Sequence, residues 1–174
     1  MAEAFLLVLS LLVLLPYLLK EQKDAPFVPL EPQVIEEVMK LADIQRRDIF
    51  YDLGSGDGRL VIAAALKGVK EAYGVELNLL RVVYSRVWLT LLGLKNARII
   101  RKDLFEIDFS KATIITLYLL QSTNNRLAEK LMKGLKPGTR IVSIAFSLPG
   151  YTPVKVSLKG PIFGPLYLYE VGLS

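Results

Sequence analysis

The stretch that decides the fold of this chain is Ile49-Phe50-Tyr51-Asp52-Leu53-Gly54-Ser55-Gly56-Asp57-Gly58-Arg59. A short apolar run ends in an acidic residue, three glycines follow at alternate positions, and the apolar residues 60–66 come directly after them. This order predicts a buried strand, a tight turn and the start of a helix. Glycines allow φ > 0 in the turn and let a ligand approach the bare backbone, while the helix start offers free N–H groups.

The spacing of the glycines indicates which ligand this turn binds. A dinucleotide site needs G-x-G-x-x-G, but Arg59 stands where the third glycine would be, and the Gly-Lys-Ser/Thr of a P-loop is absent. Asp52 would repel a pyrophosphate and attract an ammonium group. S-adenosylmethionine carries a carboxylate, an ammonium and a nucleoside, and it fits this pattern better. The alternative is a glycine turn that only connects a strand to a helix.

Composition limits the possible functions. The 174 residues suffice for one domain with a short extension, and 52% of them are hydrophobic, so a core is easily filled. The chain has no cysteine and no histidine, which excludes disulfides and catalysis or metal binding by those residues, and no metal site is expected. The net charge of +5 favours acidic partners.

The N-terminal residues predict a membrane segment. Residues 4–19 are almost wholly apolar, and as a helix they would extend about 24 Å, somewhat less than the ~30 Å hydrocarbon core of a bilayer. Glu3 precedes this run while Lys20 and Lys23 follow it, so the positive-inside rule places the rest of the chain in the cytoplasm. We therefore expect a single-pass membrane-anchor helix over residues 1–22 and one domain over residues 23–174. The alternative is an amphitropic or partner-bound helix.

Strands and helices alternate along the rest of the chain. A proline-containing linker ends at Pro32, where a helix begins, and further helices are expected over residues 78–92 and 122–135. The expected strands after the first are residues 72–77, 97–102, 112–120, 140–146, 154–159 and 163–171. The pattern predicts an α/β fold of the Rossmann-like, doubly wound type with a seven-stranded, mostly parallel sheet. No helix separates the last two strands, so one C-terminal strand should be antiparallel.

The helix over residues 78–92 is unusually apolar. We expect the side of the helix that packs on the sheet to carry Leu79, Val82, Val83, Val87 and Leu91. Tyr84, Trp88 and Leu92 would then lie on a neighbouring stripe, facing either the bilayer or the anchor helix. A wider buried face is the alternative.

Three acids stand at the ends of three successive predicted strands: Asp52, Glu76 and Asp103. In a doubly wound sheet, ligands bind beyond the carboxyl ends of the strands. Glu76 follows the glycine turn at about the 20-residue spacing of a ribose-binding acid, and its carboxylate can accept from both ribose hydroxyls. Asp103 is placed to accept from the adenine amino group.

The chain resembles the class I, seven-stranded S-adenosylmethionine-dependent methyltransferases. Residues 51–59 are similar to their motif I. With residues 74–78, residues 135–143 and the Phe27-Val28-Pro29 segment, they resemble a narrower group. That group contains the archaeal broad-specificity protein lysine methyltransferases and their membrane-anchored mitochondrial relatives, which also carry an N-terminal hydrophobic anchor. Residues 146–150 depart from the archaeal pattern because they lack its histidine and acid.

The resemblance implies S-adenosylmethionine as the cofactor. The implied cofactor-binding residues are Pro29, Asp52, Gly54, Ser55, Gly56, Asp57, Gly58, Arg59, Glu76, Leu77, Asp103 and Leu104. Residues 118–124 border the cofactor and the acceptor in this family, so Tyr118 and Asn124 are the catalytic candidates. The structural alternatives for these two are a core aromatic residue and a polar residue at a helix start.

The implied activity is a membrane-anchored protein lysine N-methyltransferase, whose partners are protein lysines, including those of membrane proteins. Enzymes that methylate exocyclic base amines carry Asp/Asn-Pro-Pro-aromatic after the fourth strand. Leu119-Leu120-Gln121-Ser122 stands there instead, so no nucleic acid partner is expected. Two alternatives remain: a methyltransferase of a small molecule delivered from the bilayer, and a non-catalytic S-adenosylmethionine-binding protein.

Overall fold

The computed structural model describes residues 27–173, which form one twisted sheet with helices on both faces. The strands are β1 (Ile49–Leu53), β2 (Glu71–Glu76), β3 (Ala97–Arg101), β4 (Ile114–Leu117), β5 (Arg140–Ile144), β6 (Lys155–Ser157) and β7 (Leu166–Glu170). The helices are α1 (Pro32–Leu41), α2 (Arg59–Leu66), α3 (Leu79–Leu91) and α4 (Gln121–Gly134). The predicted anchor over residues 1–22 lies outside the described residues. Within residues 27–173, none of the helices has the length and apolarity to cross a bilayer.

The strand order is β3-β2-β1-β4-β5-β7-β6. β1 pairs in parallel with β2 and β4, whereas β7 runs antiparallel to both β5 and β6. The prediction of a seven-stranded, mostly parallel sheet with one antiparallel C-terminal strand is therefore confirmed. The chain order reverses between β1 and β4, which places a ligand-binding crevice at their carboxyl ends.

Two apolar cores lie on the two faces of the sheet. One face packs against α1, α2 and α3, and the other packs against α4. β1 lies at the centre, and Phe50 and Leu53 are fully buried on it. Because parallel strands covered on both faces are apolar throughout, the continuous apolar runs at β1 and β4 were readable as strands.

A polar cluster holds the amino end of β1. The carboxylate of Asp48 is buried and accepts from the Gln45 N–H, the Thr113 hydroxyl and the Arg140 guanidinium, each at 2.7 Å. Arg140 also donates to the carbonyl of Ala42, at 2.6 Å. These bonds join α1, β1, β4 and β5, and they fix the strands whose far ends carry the crevice.

The predicted packing face of α3 is wrong in its phase. Leu79, Val83 and Leu91 are exposed, while the helix buries Arg81, Val82, Ser85 and Leu89. The reason is the glycine turn, since a Cβ on Gly58 would lie 3.0 Å from the Ser85 Cβ and only a small side chain fits there. Polar residues therefore face the turn, and an apolar-periodicity argument assigns them to the outside.

Several strands are shorter than predicted. β4 covers only Ile114–Leu117, β6 covers only Lys155–Ser157 and β7 covers only Leu166–Glu170. Residues 118–120 leave the sheet after β4 and turn toward the crevice before α4 begins at Gln121. The apolar run continues past the strand because Tyr118 and Leu119 line a cavity.

Candidate active site

A cavity of about 590 Å³ opens at the carboxyl ends of the central strands. Its walls are the N-terminal segment 27–30, the glycine turn, the end of β2, residues 102–105 and the start of the segment after β4. Its size lies in the range of small-molecule and cofactor sites. The predicted site residues that line it are Pro29, Asp52, Gly54, Ser55, Gly56, Asp57, Arg59, Glu76, Leu77, Asp103, Leu104 and Tyr118.

The glycine turn has the backbone that the sequence predicted. Gly54, Gly56 and Gly58 have φ values of 80°, 55° and 81°, a region that side chains with a Cβ rarely adopt. The N–H groups of Gly54 and Ser55 donate to the Val75 carbonyl at 2.8 and 2.9 Å, which joins the turn to β2. A Cβ on Gly54 would lie 2.6 Å from Leu119, so the turn and the cavity wall approach closely.

Glu76 lies at the end of β2 and is buried. Its Oε2 accepts from the Gly56 N–H at 2.9 Å, and its Oε1 accepts from the Asn78 N–H at 2.8 Å. Each carboxylate oxygen retains a second lone pair, because a carboxylate offers about four acceptor sites. The backbone bonds fix the carboxylate in the cavity wall, where it can still accept from two neighbouring ligand hydroxyls.

Asp52 is the most perturbed acid of the site. Burial raises the pKa of its carboxyl to about 7; the Thr116 hydroxyl, 2.6 Å from Oδ1, opposes this shift, and the negative charges of Asp57 and Glu76 add to it. A buried carboxylate beside two other acids is stabilised by a cationic ligand. This part of the cavity therefore favours an ammonium or sulfonium group over a phosphate.

Arg59 connects the glycine turn to the N-terminal segment. Its Nε donates to Asp57 at 2.9 and 3.0 Å, and its Nη1 donates to the Leu30 carbonyl. The guanidinium thus forms an ion pair with Asp57 and holds segment 27–30 across the cavity. It is a positioning group in this geometry, and its predicted direct contact with the cofactor stays a prediction.

Asp103 follows β3, and Leu104 lies beside it in the cavity wall. Asp103 Oδ1 accepts from the Phe105 N–H at 2.8 Å, which turns the chain under the cavity. Its remaining acceptor sites suit the predicted bond from an adenine amino group, and that bond stays a prediction.

Two predicted residues do not line the cavity. Gly58 caps the start of α2 and packs on Ser85. Asn124 is fully buried, and its amide donates to Ser143 Oγ at 3.0 Å and to the Phe146 carbonyl at 3.2 Å. These contacts hold the turn after β5 in place, so Asn124 has a structural role next to the cavity. Its predicted catalytic role stays a prediction.

Tyr118 lies in the cavity wall directly after β4. Burial raises the pKa of its hydroxyl, so the side chain is neutral at physiological pH. The hydroxyl is buried and has no hydrogen-bond partner within residues 27–173. A neutral hydroxyl can orient an acceptor group but cannot serve as a strong base.

Sequence reasoning missed several residues of the cavity wall, among them Arg81 and Phe105. The Arg81 guanidinium lies 4.9 Å from the centre of the Phe27 ring and has Nη1 4.0 Å from Glu76. Its Nε and Nη2 are buried with no hydrogen-bond partner in the described part of the chain. An arginine in the otherwise apolar first turns of a helix was the available signal, but helical periodicity alone does not aim it at the cavity.

The unpaired atoms test whether the cavity fits S-adenosylmethionine. Polar atoms of Ser55, Arg81 and Tyr118 are buried and unpartnered within residues 27–173, and all three residues line the cavity. Buried polar groups normally have partners, so these atoms are hydrogen-bonding capacity that residues 27–173 leave unused around the cavity. With Asp52 for a cation and Glu76 for vicinal hydroxyls, the donor and acceptor set fits S-adenosylmethionine. Among residues 27–173, no group of three or more acidic side chains is arranged to hold a metal ion.

Comparisons with known proteins agree with this geometry. The family model described as the ANTKMT methyltransferase domain matches residues 52–155. A protein-lysine N-methyltransferase of Saccharolobus islandicus is 40% identical over 84% of this chain and 94% of its own length. The human ATP synthase C-subunit lysine N-methyltransferase is 37% identical over 78% of this chain, which spans only 58% of that relative.

A similar solved structure contains a bound form of the cofactor. An RNA methyltransferase from Salinibacter ruber, in complex with S-adenosyl-L-homocysteine, has a TM-score of 0.78 and 34% identity, covering 84% of this chain and 95% of that one. S-adenosylhomocysteine is what S-adenosylmethionine becomes when its methyl group is transferred. The chain belongs to the ANTKMT methyltransferase-domain family and is a class I S-adenosylmethionine-dependent methyltransferase.

Proposed function

We propose that this enzyme is a protein-lysine N-methyltransferase. The observation that carries the proposal is the composition of the cavity wall. It combines the acids Asp52 and Glu76 with the neutral Tyr118 and the apolar Leu119 of the segment after β4. The names of the Saccharolobus and human relatives support a lysine as the acceptor.

Methyl transfer from a sulfonium to an amine needs little acid or base catalysis by side chains. When bound, S-adenosylmethionine supplies an electrophilic methyl group on a sulfonium. The chain contributes orientation, because Glu76 and the glycine turn fix one ligand and Tyr118 offers a neutral hydroxyl beside it. A lysine must arrive uncharged, and an apolar wall such as Leu119 lowers the pKa of an amine by desolvation.

Membrane attachment is a second part of the proposal. We infer that residues 1–22 hold the enzyme at a membrane with the catalytic domain on the cytoplasmic side, and that a membrane protein is among its substrates. The support is the apolar run of residues 4–19 followed by Lys20 and Lys23. Two relatives are named as lysine N-methyltransferases of the ATP synthase C-subunit and of the adenine nucleotide translocase, and these names indicate the kind of substrate to test.

The test is methyl transfer from labelled S-adenosylmethionine into a cell extract, divided into membrane and soluble fractions. We expect label in protein of the membrane fraction, removable by protease and resistant to ribonuclease. Glu76→Ala should abolish most of it through loss of cofactor affinity, whereas the exposed Glu106→Ala serves as the matched control and should not.

Two outcomes would contradict the proposal. Label that ribonuclease removes and protease does not would assign the enzyme to RNA, as the name of the Salinibacter RNA methyltransferase would suggest. Label extracted with lipids would assign it to a small molecule from the bilayer.

A further inference from the structure

The loop between β6 and β7 exposes large apolar side chains. Ile162 is 95% exposed, Leu158 is 89% exposed and Phe163 is 58% exposed. We call residues 158–163 the apolar loop. Single exposed apolar residues are ordinary, but a cluster in one loop indicates a surface that a membrane or another molecule covers.

The base of the apolar loop is held in place. The Ala145 N–H donates to the Pro165 carbonyl at 2.9 Å, and the Gly164 N–H donates to the Pro161 carbonyl at 3.1 Å. A Cβ on Gly164 would lie 2.6 Å from the Ala145 oxygen, so this backbone packs tightly on the end of β5. The outward position of the apolar side chains is therefore a built feature of the fold.

The apolar loop lies on the same edge of the sheet as the cavity. β5 and β6 both run antiparallel to β7, so they are parallel to each other and the loop starts at their carboxyl edge. Leu77, Leu79 and Leu80 are also exposed, at the carboxyl end of β2 and the start of α3. In the strand order, β1 and β4 with the cavity stand between these two apolar groups.

The charges beside the apolar loop indicate which kind of surface it binds. Residues 146–169 contain Lys155 and Lys159, both exposed, and no acidic residue. One acid of α1, Glu37, contacts this segment, where its Oε1 accepts from the Ser157 hydroxyl at 2.7 Å. Protein interface cores are depleted of lysine, whereas segments that lie in a bilayer interface combine apolar side chains with lysines that contact anionic headgroups. A second copy of this chain would bring the same lysines and the same net charge of +5.

We propose that the apolar loop, with Lys155 and Lys159, docks the carboxyl edge of the sheet on a bilayer that contains anionic lipid. The cavity then opens at the membrane surface, where an acceptor held in or on the bilayer reaches it. This docking is separate from residues 1–22, and it does not depend on which acceptor the enzyme methylates.

The absence of cysteine permits a direct test in the full chain. Ile162→Cys carries one environment-sensitive fluorescent label in the apolar loop. Lys111→Cys is the matched control, because Lys111 is exposed and precedes β4, at the opposite edge of the sheet. The two labels report two positions of one protein, whatever residues 1–22 contribute to vesicle binding.

We expect the label at position 162 to shift to the blue and brighten severalfold with phosphatidylcholine vesicles that contain phosphatidylserine. The label at position 111 should not change. In the Ile162→Cys protein, adding Lys155→Gln and Lys159→Gln should lower the ratio of bilayer-inserted to water-exposed label in the vesicle-bound protein by about 30-fold, because each lysine near an anionic leaflet contributes about fivefold. High salt should also weaken the response of the label at position 162, because it screens the lysines from the anionic lipid.

Three results would overturn the proposal. The first is a label at position 162 that stays in water with anionic vesicles, and the second is an equal response to vesicles of phosphatidylcholine alone. The third is a blue shift without vesicles that grows with protein concentration, which would assign the loop to a contact between copies. Methyl-transfer activity is not measured in this experiment, so its failure leaves the proposed reaction untouched.

Discussion

The carboxyl of Asp52 predicts how cofactor affinity depends on pH. Its pKa is raised to about 7 chiefly by burial, and its ionised form is the one that attracts the ammonium or sulfonium of S-adenosylmethionine. Raising the pH through 7 in the ligand-free enzyme therefore increases the fraction that can bind. Asp52→Asn keeps the shape and removes the ionisation, so it should remove this dependence.

The magnitude follows from the fraction of enzyme that is ionised. With a pKa of about 7, about one carboxyl in eleven is ionised at pH 6 and about ten in eleven at pH 8. Apparent affinity scales with the binding-competent fraction, so the carboxylate should contribute about a tenfold increase, or about 1.4 kcal/mol, between these values. Cofactor binding near pH 7 should also release close to half a proton.

The pH dependence of folding stability has the opposite sign to that of cofactor affinity. The folded-state pKa of Asp52 lies above its ordinary value of 3.8, so its contribution to stability is present below about pH 4 and is lost as the pH rises through about 7. The ligand-free protein should therefore lose stability over this range, and bound cofactor should restore it.

The assay is calorimetric titration with S-adenosylhomocysteine or S-adenosylmethionine at pH 6, 7 and 8, in buffers of different ionisation enthalpy. The ratio of wild-type to Asp52→Asn affinity cancels the titration of the ligand's own amine. A ratio that is flat across this range, with no proton released on binding, would refute the assignment of Asp52 as the carboxylate that faces the cation.

The remaining predictions test single contacts. Gly54→Ala should weaken cofactor binding and cost about 1–2 kcal/mol of stability, by calorimetry and thermal unfolding, because its φ is 80° and its Cβ would lie 2.6 Å from Leu119. Arg81→Met should weaken cofactor binding by about 1.5–3 kcal/mol, since two of its nitrogens lack partners within residues 27–173, and it should also lower ligand-free stability, because the buried Glu76 carboxylate loses the guanidinium 4.0 Å away; equal affinity would show that the guanidinium only packs. Asp48→Ala should destabilise the fold by about 3–5 kcal/mol in denaturant titration, because Arg140 loses its buried carboxylate, while cofactor affinity per folded molecule should not change.

The sheet and the glycine turn were predictable because each depends on local sequence. Apolar runs on β1 and β4 are buried on both faces, and the glycines of residues 54–58 are required by positive φ. The acids Asp52, Glu76 and Asp103 were predictable as one set because the carboxyl ends of parallel strands meet at one edge.

The parts that the sequence did not predict depend on packing between distant segments. The phase of α3 is set by Ser85 against Gly58, and Arg81 lies in the cavity wall 4.9 Å from the ring of Phe27, a residue of a distant segment. The contacts of Asn124 with the turn after β5 are of the same kind, since they join residues about 20 positions apart. Periodicity within one element contains no information about these neighbours.

We propose above that this class I methyltransferase transfers the methyl group to lysine. The most direct measurement is peptide mass spectrometry of acceptor proteins after incubation with methyl-labelled S-adenosylmethionine and either the wild-type enzyme or Glu76→Ala. We predict labelled methyl groups on lysine Nζ atoms with the wild-type enzyme and none with the variant. Label confined to another residue type, or to RNA from the same reaction, would contradict the claim.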